Sequence, residues 1–321
     1  MSVMELDTAE LTVKGLLGGI EGGGTKFNCA IGPSPEEVWA RTSFPTTTPE
    51  ETFTRAIDFF REAKAEFGDL GAIGLASFGP VDLDRQSQYY GYVTTTPKPH
   101  WAYTDVVGGL SRALEVPVAF DTDVNCATLA EGAFGAARGL RNFVYVTVGT
   151  GIGAGVVSDG RLLNGAMHPE VGHMLLPRFD GDKTFRGSCP YHGDCLEGLA
   201  AGPAIETRWG CKGQDLPVDH PAWELEADYL AAMCVNLTVC YAPERIVLGG
   251  GVMSQGQLFP MIRTAFTRLL NGYTTLPAAN DAKNYIVPAA LNGRSGEVGA
   301  MIAAETLLAQ GRESVEEVLC V

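Results

Sequence analysis

The sequence predicts an α/β protein built from two similar halves, each with a mixed sheet, facing one another across a central cleft. Three observations predict it. "LLGGIEGGGTKFNCAIG" (16–32) runs from apolar strand through a glycine turn into a second apolar strand, and "NFVYVTVGTGIGAGVVSDGRLLNG" (142–165) repeats that scheme. Each block opens a stretch where helices and strands alternate, as parallel strands with crossover helices require. No low-complexity linker divides the chain, so the halves are expected to share a short hinge.

The elements follow in order. "MSVMELDTAELTVK" (1–14) has acids early and no apolar h-region, so it is expected to be an extension ahead of the fold and not a secretory signal. The two strands of 16–32 come next, with a third expected in "EEVWARTSF" (36–44). Thr48-Pro49-Glu50-Glu51 is a capping box with proline at the first helical position, and Phe53, Ala56, Ile57 and Phe60 follow at helical spacing. "LGAIGLASFGP" (70–80) is a buried strand, "TDVVGGLSRAL" (104–114) a short helix, and "VPVAFDTDV" (116–124) a strand feeding the helix "NCATLAEGAFGAA" (125–137). In the second half, helices are expected at 199–209, 222–242, 256–270 and 296–309. "ERIVLGGGV" (244–252) and "NYIVPAA" (284–290) are the intervening strands.

Charge and length exclude several classes of function. Acids outnumber bases 38 to 23, which argues against a nucleic-acid or membrane-surface binder, since both rest on basic patches. No apolar run is long enough to span a bilayer, and a cytoplasmic protein is the expectation. Most of the eight cysteines lie singly in apolar segments, where a thiol behaves as a small hydrophobe. A disulfide framework is therefore not expected.

Cys189 and Cys195 are different. The stretch 168–195 holds three of the five histidines and both of these thiols. His173, Cys189, His192 and Cys195 form a soft nitrogen–sulfur set suited to tetrahedral Zn2+, with no position left for an activated water. The bland alternative is two free thiols with incidental histidines. His168 is left over and is expected to face solvent. Pinning His173 would freeze "HPEVGH" and hold Glu170 toward the cleft. Glu197, two residues after Cys195, would be held by the same clamp.

Glycine turns let backbone N–H groups approach phosphate oxygens because no Cβ intervenes. Gly22-Gly23-Gly24-Thr25 and Gly149-Thr150-Gly151 are candidates, with plain hairpins as the alternative. Gly249-Gly250-Gly251 is a third cluster, where a nucleotide base or ribose has room. Lys26 is read either as a phosphate contact or as a solvated strand residue. Neither a P-loop nor a Rossmann fingerprint fits, because the glycines lead into strands. Asp123 ends a strand and opens a helix. It is either an N-cap for Asn125 or a general base that takes a proton from an attacking hydroxyl. Gly79-Pro80 closes its strand, and "YVTTTPKPHW" (92–101) is either an aromatic pocket wall or a packed loop.

Five segments together carry a resemblance. "IEGGGTKFNCAIG", "DTDVNCATLAEGAFGAARG", "VTVGTGIGAGVVSDGRLLNGAMHPEVGHM", "CPYHGDCLEGLAAGPAIE" and "IVLGGGV" resemble the ROK family (repressors, open reading frames and kinases), over residues 15–310. The subgroup most resembled is the zinc-containing bacterial fructokinases. The resemblance implies an actin/hexokinase-like (ribonuclease H-like) fold with a small domain, 15–124 plus 297–321, and a large one, 125–296. It implies transfer of a phosphoryl group from ATP with Mg2+ to a hexose, giving fructose 6-phosphate if the hexose is fructose. Glucose, mannose and N-acetylhexosamines are the alternative substrates. It assigns Asp123 as the base and Gly79, Pro80, Asn125, Glu170, His173 and Glu197 to the sugar, with His173 also on zinc. The three glycine clusters and Lys26 go to ATP. A homodimer is likewise implied. Two positions depart from the family: His192 stands where many members have Cys, and Glu21 where most have an Asp expected to orient magnesium. A sugar-responsive regulator is the other reading. It would need a DNA-binding module, which is not expected with the first strand near residue 16.

Overall fold

The computed structural model describes residues 15–274 and 276–319; the expected extension, 1–14, lies outside the described residues, as do 320 and 321. The first half comprises β1 (Leu16–Gly22), β2 (Lys26–Gly32), β3 (Ala40–Pro45), α1 (Pro49–Phe67), β4 (Leu70–Ser77), β5 (Tyr92–Val93), β6 (Thr104–Asp105), α2 (Val106–Leu114), β7 (Val118–Thr122) and α3 (Asp123–Ala133). Then come β8 (Phe143–Val148), β9 (Ile152–Ser158), β10 (Arg161–Leu162), α4 (Leu196–Ala200), α5 (Gly202–Trp209) and α6 (Ala222–Tyr241). The chain continues with β11 (Arg245–Gly249), α7 (Leu258–Leu270), α8 (Pro277–Asn280), α9 (Ala282–Tyr285), β12 (Ile286–Pro288) and α10 (Ser295–Leu319).

The duplication read from the two glycine blocks is a duplication of sheet topology. One five-stranded sheet has the order β3-β2-β1-β4-β7 and the other β10-β9-β8-β11-β12. In each, the first three strands pair antiparallel and the last two join in parallel. The fold is actin/hexokinase-like, as expected. Among the described residues no helix is long and apolar enough to cross a membrane.

Local chemistry accounts for the elements. Thr48 caps α1, its hydroxyl accepting from Glu51 N at 3.3 Å, a contact worth about 1 kcal/mol. Phe60 of α1 is fully buried with Phe27, Ile73 and Leu75 under the first sheet. The helix expected over 199–209 is split, because Ala201 is extended and Pro203 occupies the first turn of α5.

α3 and α10 pack against each other, α10 also lying on β1 and β4 and α3 on β9. Two glycines allow that closeness. A Cβ on Gly74 would stand 1.7 Å from the Ala300 carbonyl oxygen, and one on Gly299 1.8 Å from that of Cys126. Because α3 is packed against α10, β4, β8 and β9, it buries polar Asn125, Thr128 and Glu131 along with its apolar residues. Glu131 is fully buried and gathers the Ala136, Ala290 and Leu291 N–H groups and the Ser295 hydroxyl. That one carboxylate ties α3 to the turn where the chain leaves β12 for α10.

Candidate active site

β7 delivers its last residue, Thr122, to the start of α3, and Thr122 is the cap. Its hydroxyl accepts from Asn125 N at 3.0 Å. The alternative in which Asp123 caps this helix is therefore overturned, and α3 starts at Asp123. Asp123 Oδ1 accepts from Val124 N at 2.8 Å, which leaves its second oxygen unassigned. Burial pushes this carboxyl up to about 7, opposed by the Val124 N–H and reinforced by the negative charges of Glu21 and Glu170. Asn125 is buried, and its amide donates to Asp121 Oδ1 at 2.7 Å. It thus ties the first turn of α3 to the end of β7.

Glu21 at the end of β1 accepts from Asn28 Nδ2 at 2.7 Å. Its extra methylene has a local explanation in Gly296, where a Cβ would come 2.3 Å from Glu21 Cδ. Burial raises the Glu21 carboxyl above its usual range.

The four soft ligands converge. One ligand atom from each of His173, Cys189, His192 and Cys195 lies within 4.8 Å of all the others. Cys189 Sγ is 3.7 Å from His173 Nδ1 and 3.8 Å from His192 Nδ1, and Cys195 Sγ is 3.5 Å from His173 Nδ1. Tetrahedral zinc with bonds of about 2.0–2.3 Å has ligand–ligand edges of about 3.3–3.8 Å, so the set fits that ion. Cys189 and Gly193 exchange backbone hydrogen bonds to shape one half of the knot, while Cys195 leads directly into α4. A second anchor stands apart from these ligands. Buried Asp182 accepts from Arg208 Nε at 3.0 Å and from the Tyr229 hydroxyl at 2.7 Å, fastening the excursion to α5 and α6.

Beside the knot, Glu170 is partly exposed and its carboxyl is raised to about 6, by burial first and the nearby Glu197 second. Glu197 Oε2 accepts from Ile152 N at 3.0 Å, in the turn where a Cβ on Gly151 would lie 2.7 Å from that oxygen. His168 is not the solvent-facing spare that was expected. It is buried, 6% exposed, with Nδ1 3.3 Å from Glu170 Oε1. The turn tucks its ring toward Gly79, and Gly79-Pro80 has a cis peptide bond. The 92–101 loop resolves to the packed alternative. Trp101 is wholly buried against Phe27, Phe53 and Phe78 and donates to the Thr47 carbonyl at 2.7 Å.

The glycine clusters separate into two groups. Gly149-Thr150-Gly151 and Gly249-Gly250-Gly251 meet: Gly250 has φ 91° and a Cβ there would come 2.4 Å from the Val148 carbonyl oxygen. Gly149, Thr150 and Gly251, with Pro203, Glu206 and Lys212, line a cavity of about 460 Å³, while Gly151, Gly249 and Gly250 lie outside its lining. Gly22, Gly23, Gly24 and Thr25 form the β1–β2 turn, outside the lining of that cavity, with Thr25 and Lys26 exposed. The sequence reading missed Glu206 and Lys212, which no local motif marks.

Paired sheets with an acid at the strand–helix junction between them and a glycine-walled cavity on one side define an actin/hexokinase-like phosphotransferase architecture. Residues 17–306 match the model of the ROK family, and the chain belongs to that family. It is 49% identical over 293 residues to a fructokinase of Pediococcus pentosaceus, covering 91% of this chain and 99% of that relative. A fructokinase of Zymomonas mobilis is 45% identical over 294 residues, 91% of this chain and 97% of the relative. Among solved structures, the ROK hexokinase of Thermus thermophilus superposes with TM-score 0.75 at 27% identity, covering 92% of this chain and 99% of that one.

Proposed function

We propose that the chain is an ATP-dependent hexose kinase acting on fructose and producing fructose 6-phosphate. The observation that carries the reaction type is Asp123. It is a carboxylate at a strand–helix junction, held near neutrality by burial and set close to Glu21 and Glu170. The choice of fructose rests on the 49% identity to the Pediococcus enzyme.

In this reading Glu170 and Glu197 accept hydrogen bonds from sugar hydroxyls, with Gly79, Pro80, Asn125 and His173 completing the pocket. The attacking hydroxyl oxygen forms a bond to the γ-phosphorus, the bond to the ADP oxygen breaks, and Asp123 takes the hydroxyl proton. N–H groups of the Gly22–Thr25 and Gly149–Gly151 turns, with Lys26, face the phosphates, and the cavity lined by Gly251 takes the nucleoside. The Glu21 carboxylate at the end of β1 would orient a magnesium ion or its waters, and that ion supplies charge neutralisation on the phosphates. Zinc held by His173, Cys189, His192 and Cys195 has a structural part, fixing the loop that carries Glu170.

The lobes, 15–124 with 297–321 and 125–296, are proposed to close on the substrates so that water is excluded. The homodimer is carried forward from the resemblance, and sedimentation equilibrium tests it. The function itself is tested by ADP release with magnesium and a panel of fructose, glucose, mannose and N-acetylmannosamine. The highest kcat/KM is expected with fructose. A higher value with another hexose reassigns the substrate, and no turnover with any of them refutes the kinase.

A further inference from the structure

We propose that His168 is a positioning residue for the sugar site, its ring holding the Glu170 carboxylate so that the remaining lone pairs stay turned to the substrate. The inference rests on the reading of Glu170 as a sugar ligand and adds a residue to it.

Among the described histidines His168 alone is buried. Its Nδ1 lies 3.3 Å from Glu170 Oε1, and its buried Nε2 has no hydrogen-bond partner among the described residues. Burial favours the neutral ring, opposed by a contact with the Pro169 backbone, and that ring carries one N–H. The Glu170 carboxylate, 3.3 Å from Nδ1, favours that proton on Nδ1. Nε2 then keeps its lone pair and faces the Gly79 side, where a Cβ on Gly79 would lie 4.0 Å away. Pro169 separates the pair with a restricted backbone, so the ring and the carboxylate two residues on are set at a fixed offset.

Glu170 needs such a grip. Glu197 and Asp123 both repel its charge, and His168 is its only partner at ion-pair distance among the described residues. Without the Nδ1–H, rotation of the carboxylate away from its acidic neighbours costs nothing that the structure would resist.

The test is a double-mutant cycle on the full-length chain, with fructose affinity by calorimetry, steady-state kinetics and melting temperature measured together. His168→Ala should raise KM and Kd for fructose about tenfold while KM for ATP changes less than about twofold. In a Glu170→Gln background the same substitution should add almost nothing, because it acts through Glu170. His168→Asn, whose amide reaches the Nδ1 position, should restore most of the affinity. Additive effects in the cycle, an unchanged fructose KM, or rescue by His168→Gln in place of His168→Asn would each overturn the proposal. If His168→Ala does not fold, the Asn and Gln variants decide alone. An active wild type with an unaffected His168→Ala variant refutes only this inference; a wild type that neither binds nor phosphorylates fructose removes the functional reading beneath it.

Discussion

Lowering the pH from 8 to 6 should cut kcat/KM for the sugar about tenfold, and the cause should be Asp123. The proposed base works only when ionised. With its carboxyl raised to about 7, about nine-tenths of the molecules carry the charge at pH 8 and about one-tenth at pH 6. An Asp at its ordinary value near 4 would give a flat profile over that range. Below about pH 6, protonation of Glu170 removes a sugar acceptor and steepens the fall. Because kcat/KM reports the groups of the free enzyme, ADP release at subsaturating fructose is the right assay. Asp123→Asn should lower kcat by at least about a hundredfold at every pH. The same burial makes a second, opposite forecast for stability. A raised folded value means that the native state holds a proton which the unfolded chain has lost between about pH 4 and 7, so Asp123 makes stability fall as pH rises through that window. Asp123→Asn, which carries no charge, should therefore melt at or above the wild-type temperature at pH 8. A flat wild-type profile from 6 to 8, or an Asn variant that keeps normal turnover, would refute the reasoning.

Three further predictions concern the scaffold. Stripping zinc with a chelator, with loss confirmed by metal analysis, should raise the fructose KM and leave the ATP KM nearly unchanged; an unchanged fructose KM would separate the knot from the sugar site. Glu131→Gln should cost about 2–4 kcal/mol in urea unfolding, since an amide nitrogen would face backbone N–H donors in a fully buried position. A loss below about 1 kcal/mol would mean that the turn before α10 is held by something else. Gly151→Ala should weaken fructose binding, because its Cβ would sit 2.7 Å from Glu197 Oε2 and force that carboxylate off Ile152 N; calorimetry with wild-type affinity would show that Glu197 moves freely.

The architecture was readable because its evidence is local. Two strand–glycine–strand blocks, each followed by alternating helices and strands, carry the doubled sheet plan in their own residues. The convergence of His173, Cys189, His192 and Cys195 was readable for a similar reason: their residue types and short spacing limit how far apart they can fold. What stayed hidden depends on chain segments far apart in sequence. Thr122 and Asp123 are both good caps, and only the point where β7 leaves its ladder with β4 decides between them. His168 looked solvent-facing because the surface that buries it comes from the Gly79 loop of the other block. Trp101 is core because Phe27, Phe53 and Phe78, distant in sequence but in the same half, close it in.

The acidic groups show where such long-range pairings lead. Glu21, Asp123, Glu170 and Glu197 come from four separate segments, and the first three are raised by burial, with one another's charge adding to the shift for Asp123. Folding alone would not gather like charges, so the sheets, the Cys/His knot and the Asp182 anchor must hold them against repulsion. A divalent cation and sugar hydroxyls are the groups that relieve that repulsion, which links ligand binding to stability. Magnesium, ATP and fructose together should raise the melting temperature of wild type by more than the sum of their separate effects. In Asp123→Asn/Glu170→Gln, where two of the charges are gone, the excess should vanish. Strict additivity in the wild type would mean that the cluster holds its charges apart well enough to need no ligand, and the picture of a preorganised acidic cleft would be wrong.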